Sequence, residues 1–240
     1  MRVNYDLHIH SCLSPCGDND MTPYNLANMA KIMGLDVIAL TDHNTAMNCR
    51  STIKAGEKIG LKVIPGMELC TMEEVHVVCL FPDVDNAEEF SRFVRNNIPP
   101  VKNRKEIFGE QLIFDECDNI LGEEELLLTT ACNIGIEKVS VTVKEYGGYC
   151  FPAHIDRSSY SVISNLGSIT PEMNFNVCEI TKDGDREKYK SDFPIINGMK
   201  ILSNSDAHYL ENIGNAGDFM EIDEDKFNNI TSFLEFIFLK

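Results

Sequence analysis

A chain of 240 residues that is 43% hydrophobic has enough apolar material for a sizeable core and shows no bias toward disorder or a fibrous repeat. Its 38 Asp and Glu against 21 Lys and Arg give a formal charge of −17, which repels a long polyanion; no duplex nucleic acid is expected as a partner, whereas a small phosphorylated substrate is compatible. No apolar run is long enough to span a bilayer, no Lys-flanked apolar leader opens the chain, and nine scattered Cys, an odd number, point to reduced thiols in a cytoplasmic protein.

Val3 to Ile9 alternates and is predicted as a strand, followed by a polar loop rich in Ser, Pro, Gly and Asp. Thr22-Pro23 reads as an N-cap with proline at the first helical position, and Leu26, Met29, Ala30 and Met33 give that helix an apolar face that Gly34 ends. Leu35 to Leu40 is a buried-strand candidate ending at Thr41-Asp42-His43. A helix over Ala46 to Ile59, stopped by Gly60, leads to the strand Leu61 to Pro65, with Gly66-Met67-Glu68 at its end. This alternation is the mark of parallel β/α units. Val75 to Phe81 is one more strand, a candidate hairpin partner of the previous one, and a helix around Asn86 to Asn97 follows it.

Phe108 to Thr130 has no clear period, and about 98–132 reads as an insertion or irregular cap on one domain spanning 1–240. Regular order returns with a helix near Ile136 to Tyr146, the strand Tyr149 to His154, a short helix near Tyr160 to Leu166 and the strand Asn176 to Ile180. Met199 to Ser203 leads to Asn204-Ser205-Asp206-Ala207-His208. Gly217 to Ile222 and the amphipathic helix Lys226 to Phe238 close the chain.

The six histidines share a pattern. His8 and His10, two apart on a strand, project from one face and can grip one metal ion. His43, Glu68, His154 and the Asp206/His208 pair each stand at a predicted strand end, and His76 lies at the start of another strand. Strand ends are where a β/α barrel gathers residues from distant parts of a chain. A lone His-x-His pair or a strand-end Asp42, which commonly caps a helix, says little; the joint pattern points to metal binding. Cys12 and Cys16 have no second cysteine pair, which argues against a structural zinc site made mainly of cysteine.

Asp6-Leu7-His8-Ile9-His10-Ser11 and Gly34 to Asn44 resemble the first two motifs of the PHP domain, the polymerase and histidinol phosphatase family. Pro65-Gly66-Met67-Glu68 with His76, Pro152-Ala153-His154, and Ser205-Asp206-Ala207-His208 resemble later ones. The resemblance implies an α/β fold, a distorted (β/α)7 barrel similar to a TIM barrel, with up to three metal ions at its C-terminal face. It implies His8, His10, Glu68 and Asp206 on a first metal, Glu68 bridging to a second with His76 and His154, and His43 and His208 on a third. The loop after His10 would supply a further ligand, for which Asp18 is preferred over Asp20 and Cys16, because an oxygen ligand suits a Zn, Mn or Fe cluster; Cys16 competes if the metal is zinc.

Such a cluster implies a phosphatase or phosphoesterase acting on a small metabolite or nucleotide ester through a metal-bridging hydroxide, with Glu68 and Asp206 central. Arg157, three residues after His154, offers a guanidinium fork for phosphate. A nuclease acting on a short single-stranded nucleic-acid end and a non-catalytic metal-dependent scaffold are the alternatives. No membrane partner is expected, and no Gly-rich loop ends in the Gly-Lys-Ser/Thr of a nucleotide triphosphatase.

Overall fold

The computed structural model describes residues 1–239. Its strands are β1 (Arg2–Ile9), β2 (Val37–Leu40), β3 (Lys62–Cys70), β4 (His76–Leu80), β5 (Leu112–Phe114), β6 (Ile120–Glu123), β7 (Tyr149–Pro152), β8 (Val177–Glu179), β9 (Lys200–Leu202) and β10 (Phe219–Glu221). Its α-helices are α1 (Pro23–Ile32), α2 (Cys49–Ile59), α3 (Val84–Arg95), α4 (Lys105–Phe108), α5 (Ile136–Glu145), α6 (Val162–Leu166), α7 (Arg186–Asp192), α8 (Glu224–Asn228) and α9 (Ile230–Phe238). The arrangement is an α/β fold around a curled sheet.

Six strands are ordered β10-β1-β2-β3-β4-β7, and β8 pairs with β9 in a separate parallel ladder. Strands β1, β2 and β3 run parallel, as the alternation of strands and helices predicts. The parallel order stops at β4, which forms the expected hairpin with β3 and is antiparallel to β7 as well. The cause is local: only five residues separate Cys70 from His76, too few for a crossover helix, so the chain can only turn back as a hairpin. The ladders are joined at their ends, where Ile155 N donates to Glu179 O and His10 N to Ala207 O, both at 2.9 Å.

Inner and outer faces carry separate cores. Ile38, Leu40, Val63, Val77 and Cys79 pack outward with the helices. Val3, Tyr5, Leu7, Val37, Ala39, Ile64, Val78, Leu80, Phe151, Val177 and Leu202 face inward with Phe233, Leu234, Ile237 and Phe238 of α9. Helix α9 thereby plugs one end of the curled sheet, each large buried side chain contributing roughly 1.5–3 kcal/mol.

Several predicted boundaries move for physical reasons. The second helix begins at Cys49, not Ala46, because Asn48 turns its side chain to Ser11 Oγ (3.0 Å) and to Leu112 O (3.1 Å). The closing helix is two helices: Asn229 is extended (φ −105°, ψ 119°) and its side chain caps α9 by accepting Ser232 N at 2.9 Å. Thr22 is the N-cap of α1, accepting Asn25 N, with Pro23 in the first turn. Within 98–132, β5 and β6 form a hairpin held to the sheet's polar end, where Leu112 N donates to Cys12 O (3.2 Å) and Asn44 Nδ2 to Leu128 O (2.7 Å). All nine cysteines are free thiols. Among the described residues, no helix is long and apolar enough to cross a membrane.

Candidate metal centre

The polar end of the curled sheet, opposite α9, is built by strand parity. Glu68 shares a face with Ile64, His76 with Val78 and Leu80, and Glu179 with Val177, so continuing each inward stripe brings a polar side chain to the same place. On β1 the alternation is reset. Asp6 pairs with Ile38 and Ile9 with Leu40, so β1 carries one extra residue, and this bulge turns both Leu7 and His8 inward. His154 and Asp206 have φ of +25° and +51°, an uncommon region for side-chain-bearing residues that re-aims each at the end of its strand. Backbone strain of this kind gathers at functional sites and costs on the order of 1–3 kcal/mol per residue.

All six histidines, Glu68 and Asp206 come together here. His8 Nε2 lies 3.1 Å from Glu68 Oε1 and 3.3 Å from Asp206 Oδ1, and His10 Nε2 lies 3.1 Å from the same Asp206 oxygen. His43 Nδ1 is 3.0 Å and His76 Nδ1 2.9 Å from the Glu68 oxygens, while His154 Nε2 stands 3.3 Å away. Three overlapping groups have ligand atoms within 4.8 Å of one another: His8, His10, Glu68 and Asp206; His43, Glu68 and His76; and His10, His43 and His208.

The donor set fits divalent cations. His8 Nε2, His10 Nε2, His43 Nδ1, both Glu68 oxygens, His154 Nδ1 and Asp206 Oδ1 are buried without a hydrogen-bond partner. Leaving a buried polar atom unpaired costs about 1–3 kcal/mol. Cations accepting their lone pairs would account for so many in one place, and imidazole with carboxylate is a donor set that suits Zn, Fe or Mn.

Charge is polarised within the cluster. Burial opposes ionisation of Glu68, yet His76 and His8 beside it hold its carboxyl well below the usual range. Burial likewise opposes a charge on His8, but Glu179, Asp206 and Glu68 outweigh it and hold the imidazole well above its ordinary value. His10 goes the other way, depressed by burial and by its neighbours His208 and His43.

The loop after His10 leaves Asp18, Asp20 and Cys16 all as candidates for the further ligand. Asp18 enters none of the three groups; its carboxylate accepts Asp20 N at 2.8 Å, and Asp20 is exposed. Cys16 is exposed and enters none of the three groups either; desolvation opposes ionisation of its thiol, but the His43 and His208 imidazoles outweigh this and bring it down to about 6. The tight turn Asp18 to Met21 uses the Asp18 side chain to hold its own backbone. Arg157 reaches the cluster, its Nη1 lying 2.5 Å from Asp206 Oδ2 while the side chain is 46% exposed.

Some contributors escaped the sequence reading. Buried Glu179 contacts His8 Nδ1 at 3.1–3.2 Å, accepts His154 N at 3.0 Å and accepts Asn204 Nδ2 at 2.7 Å. A carboxylate on the far ring nitrogen fixes the tautomer and orientation of a ligating histidine. Its signal was a carboxylate at the end of the predicted strand Asn176 to Ile180, the position that also marked Glu68. Asp42 accepts Ser11 N, Ser11 Oγ and Ser14 Oγ, each at 2.7 Å, and Ser14 Oγ lies 3.0 Å from His10 Nδ1. Asp42 thus caps no helix; it anchors the loop that orients His10.

Residues 6–160 match the model of the PHP domain. An uncharacterized protein of Methanocaldococcus jannaschii is 35% identical over 88 residues, covering 33% of this chain and 51% of that protein. A 5′-3′ exoribonuclease of Haemophilus influenzae is 35% identical over 83 residues, covering 33% of this chain and 29% of the enzyme. The matched stretches thus take up about half, or less, of those relatives' own lengths. In fold, the chain is similar to the lesion-specific endonuclease Q of Pyrococcus furiosus, with a TM-score of 0.74, 21% identity, and coverage of 99% of this chain and 56% of that one. An amidohydrolase of Chromobacterium violaceum gives a TM-score of 0.57 at 17% identity, covering 92% of each chain. The family match runs through the strands that carry His8, His10, His43, Glu68, His76 and His154, and on it the chain belongs to the PHP-domain family.

Proposed function

We propose that this chain is a metal-dependent phosphoesterase that cleaves a phosphodiester at the end of a short single-stranded nucleic acid. The observation that carries the reading is the set of buried, unpartnered imidazole and carboxylate atoms around Glu68. His8, His10, Glu68 and Asp206 would hold one Zn, Mn or Fe ion; Glu68 with His76 and His154 would hold a second, and His43 with His208 a third, its loop ligand being Asp18, Asp20 or Cys16. When bound, such ions supply Lewis acidity toward a water and toward the phosphoryl oxygens. We read β1, β2, β3, β4, β7, β8 and β9 as one distorted seven-stranded barrel over 1–240, with β10 added on β1 and 98–132 inserted beside the polar end.

The protein's own groups prepare this chemistry. Glu179 and the Asp42–Ser14 pair fix the rings of His8 and His10, so that neither imidazole reorganises when substrate arrives. Arg157 stands beside Asp206 with most of its donor fork at the rim, where it can bind phosphoryl oxygens and stays charged throughout. The histidines are committed to cations, which leaves none free as a general base.

Nucleic acid as the substrate class is supported by relatives named as 5′-3′ exoribonucleases. A charge of −17 favours a short segment over a long footprint. The fold itself does not bar a duplex, since endonuclease Q is described in complex with a 27-mer duplex. A second reading, hydrolysis of a small phosphate monoester, draws on a cleft of about 410 Å³ beside Asp206, lined by Arg157, Lys182, Asn204, Asn212 and Asn215, which is large enough for a nucleotide.

The test is a comparison of end-labelled single strands, duplexes of the same sequence and mononucleotides, using protein reconstituted with Zn, Mn or Fe. Shortening of the single strand from one end is expected. Turnover of monoesters alone would replace the first reading with the second. No turnover of any ester by protein with measured metal occupancy would leave the scaffold alternative.

A further inference from the structure

We infer that the exposed face of Tyr160 is a stacking platform for the nucleobase beside the bond being cleaved; this rests on the nucleic-acid reading of the same site. Tyr160 ends the loop that begins directly after His154. Its ring stacks on that of His76, with centroids 4.7 Å apart and planes inclined by 26°, and its carbonyl accepts His76 N at 2.9 Å. One side of the ring is therefore laid against the cluster, yet the residue is 45% exposed.

The placement is specified and not a product of core packing. Tyr160 has φ +53°, a region that bulky side chains rarely enter, and it is held there by contacts on both sides. Behind it, Ser161 Oγ donates to Arg157 O at 2.8 Å and caps α6. This bond ties together the two functional ends of the loop, with Arg157 against Asp206 and Tyr160 against His76. A single loop thus offers a guanidinium for phosphate and an aromatic face for whatever the phosphate carries. Every nucleobase has a π-face, so such a platform binds without regard to sequence, as an end-trimming enzyme requires. The competing role is a cover that only holds the His76 ring.

The experiment separates these roles and does not depend on turnover alone. The chain has no tryptophan, so Tyr160→Trp introduces a single indole at the platform that can be excited apart from the remaining tyrosines. In metal-loaded protein, adenosine 5′-monophosphate is expected to quench it, whereas ribose 5-phosphate, which carries the same phosphate without a base, is not. Tyr160→Leu is expected to lower the ratio of kcat/KM for a single strand over that for the same strand lacking its terminal base by about tenfold, and Tyr160→Phe to preserve the ratio. Equal losses on both strands, or quenching by neither or by both phosphates, would overturn the platform and leave a cover for His76. Base-dependent quenching without hydrolysis of any ester would keep the platform and remove the catalytic reading.

Discussion

The inner faces of the same strands serve opposite purposes at their two ends. At one end Val3, Val37, Leu202 and the α9 residues Phe233, Leu234 and Ile237 make an apolar plug. At the other, the stripes continue into His8, Glu68, His76 and Glu179, where buried polar atoms lack partners. Burial stabilises the first end, while in the second it costs stability that cations would recover by satisfying the unpaired atoms. The contrast separates foldedness from activity, and each can be disturbed on its own.

The sharpest break comes from Glu68→Gln, which removes the charge of the carboxylate common to two of the three ligand groups. Hydrolysis is expected to fall on the order of 1,000-fold, more than the roughly 10–100-fold of losing an outer partner, while the metal-free chain still melts cooperatively. A variant that keeps wild-type turnover at full metal occupancy would remove Glu68 from the chemistry. Phe233→Ala works from the other end. Emptying its fully buried site should cost about 3–5 kcal/mol and lower Tm by roughly 10 °C, with metal affinity of the folded fraction unchanged. If metal affinity dropped in parallel, calorimetry and metal titration together would show the two ends to be one cooperative unit.

Glu179→Gln refines the polar end. It retains the shape but removes the charge facing His8 Nδ1, so metal affinity measured by chelator competition should weaken about 10–100-fold. An unchanged affinity would mean that the Glu179 charge is not what orients His8 for metal. Arg157→Ala is expected to have the smallest effect, about tenfold in KM for a phosphate ester, because the side chain is half exposed and its partner Asp206 keeps its other contacts. A kcat loss with constant KM would move Arg157 from binding into the rate-limiting step.

Legibility in the sequence followed the range of the interactions. Thr22-Pro23, Gly34 and Gly60 marked helix ends correctly because capping and left-handed φ are decided within a few residues. The strand-end histidines were visible because period-2 alternation reports which face a side chain takes. Asn48 and Asn229 misled because their side chains answer to distant or following backbone groups. The hairpin β5–β6 was hidden because Leu112–Phe114 and Ile120–Glu123 lack a buried alternating face, their order coming from docking beside Cys12 and Asn44.

By itself the sequence determined that six histidines, Glu68 and Asp206 belong to one metal-binding pattern of the PHP type, since motif spacing and local periodicity survive in one dimension. Only the tertiary structure decided that Asp42 anchors Ser14 behind His10, that Glu179 stands behind His8, and that Tyr160 lies over His76. The physical reason is common to all three. Each depends on where a loop or strand end from elsewhere in the chain comes to rest, and closure of the sheet, not neighbouring residues, sets that position.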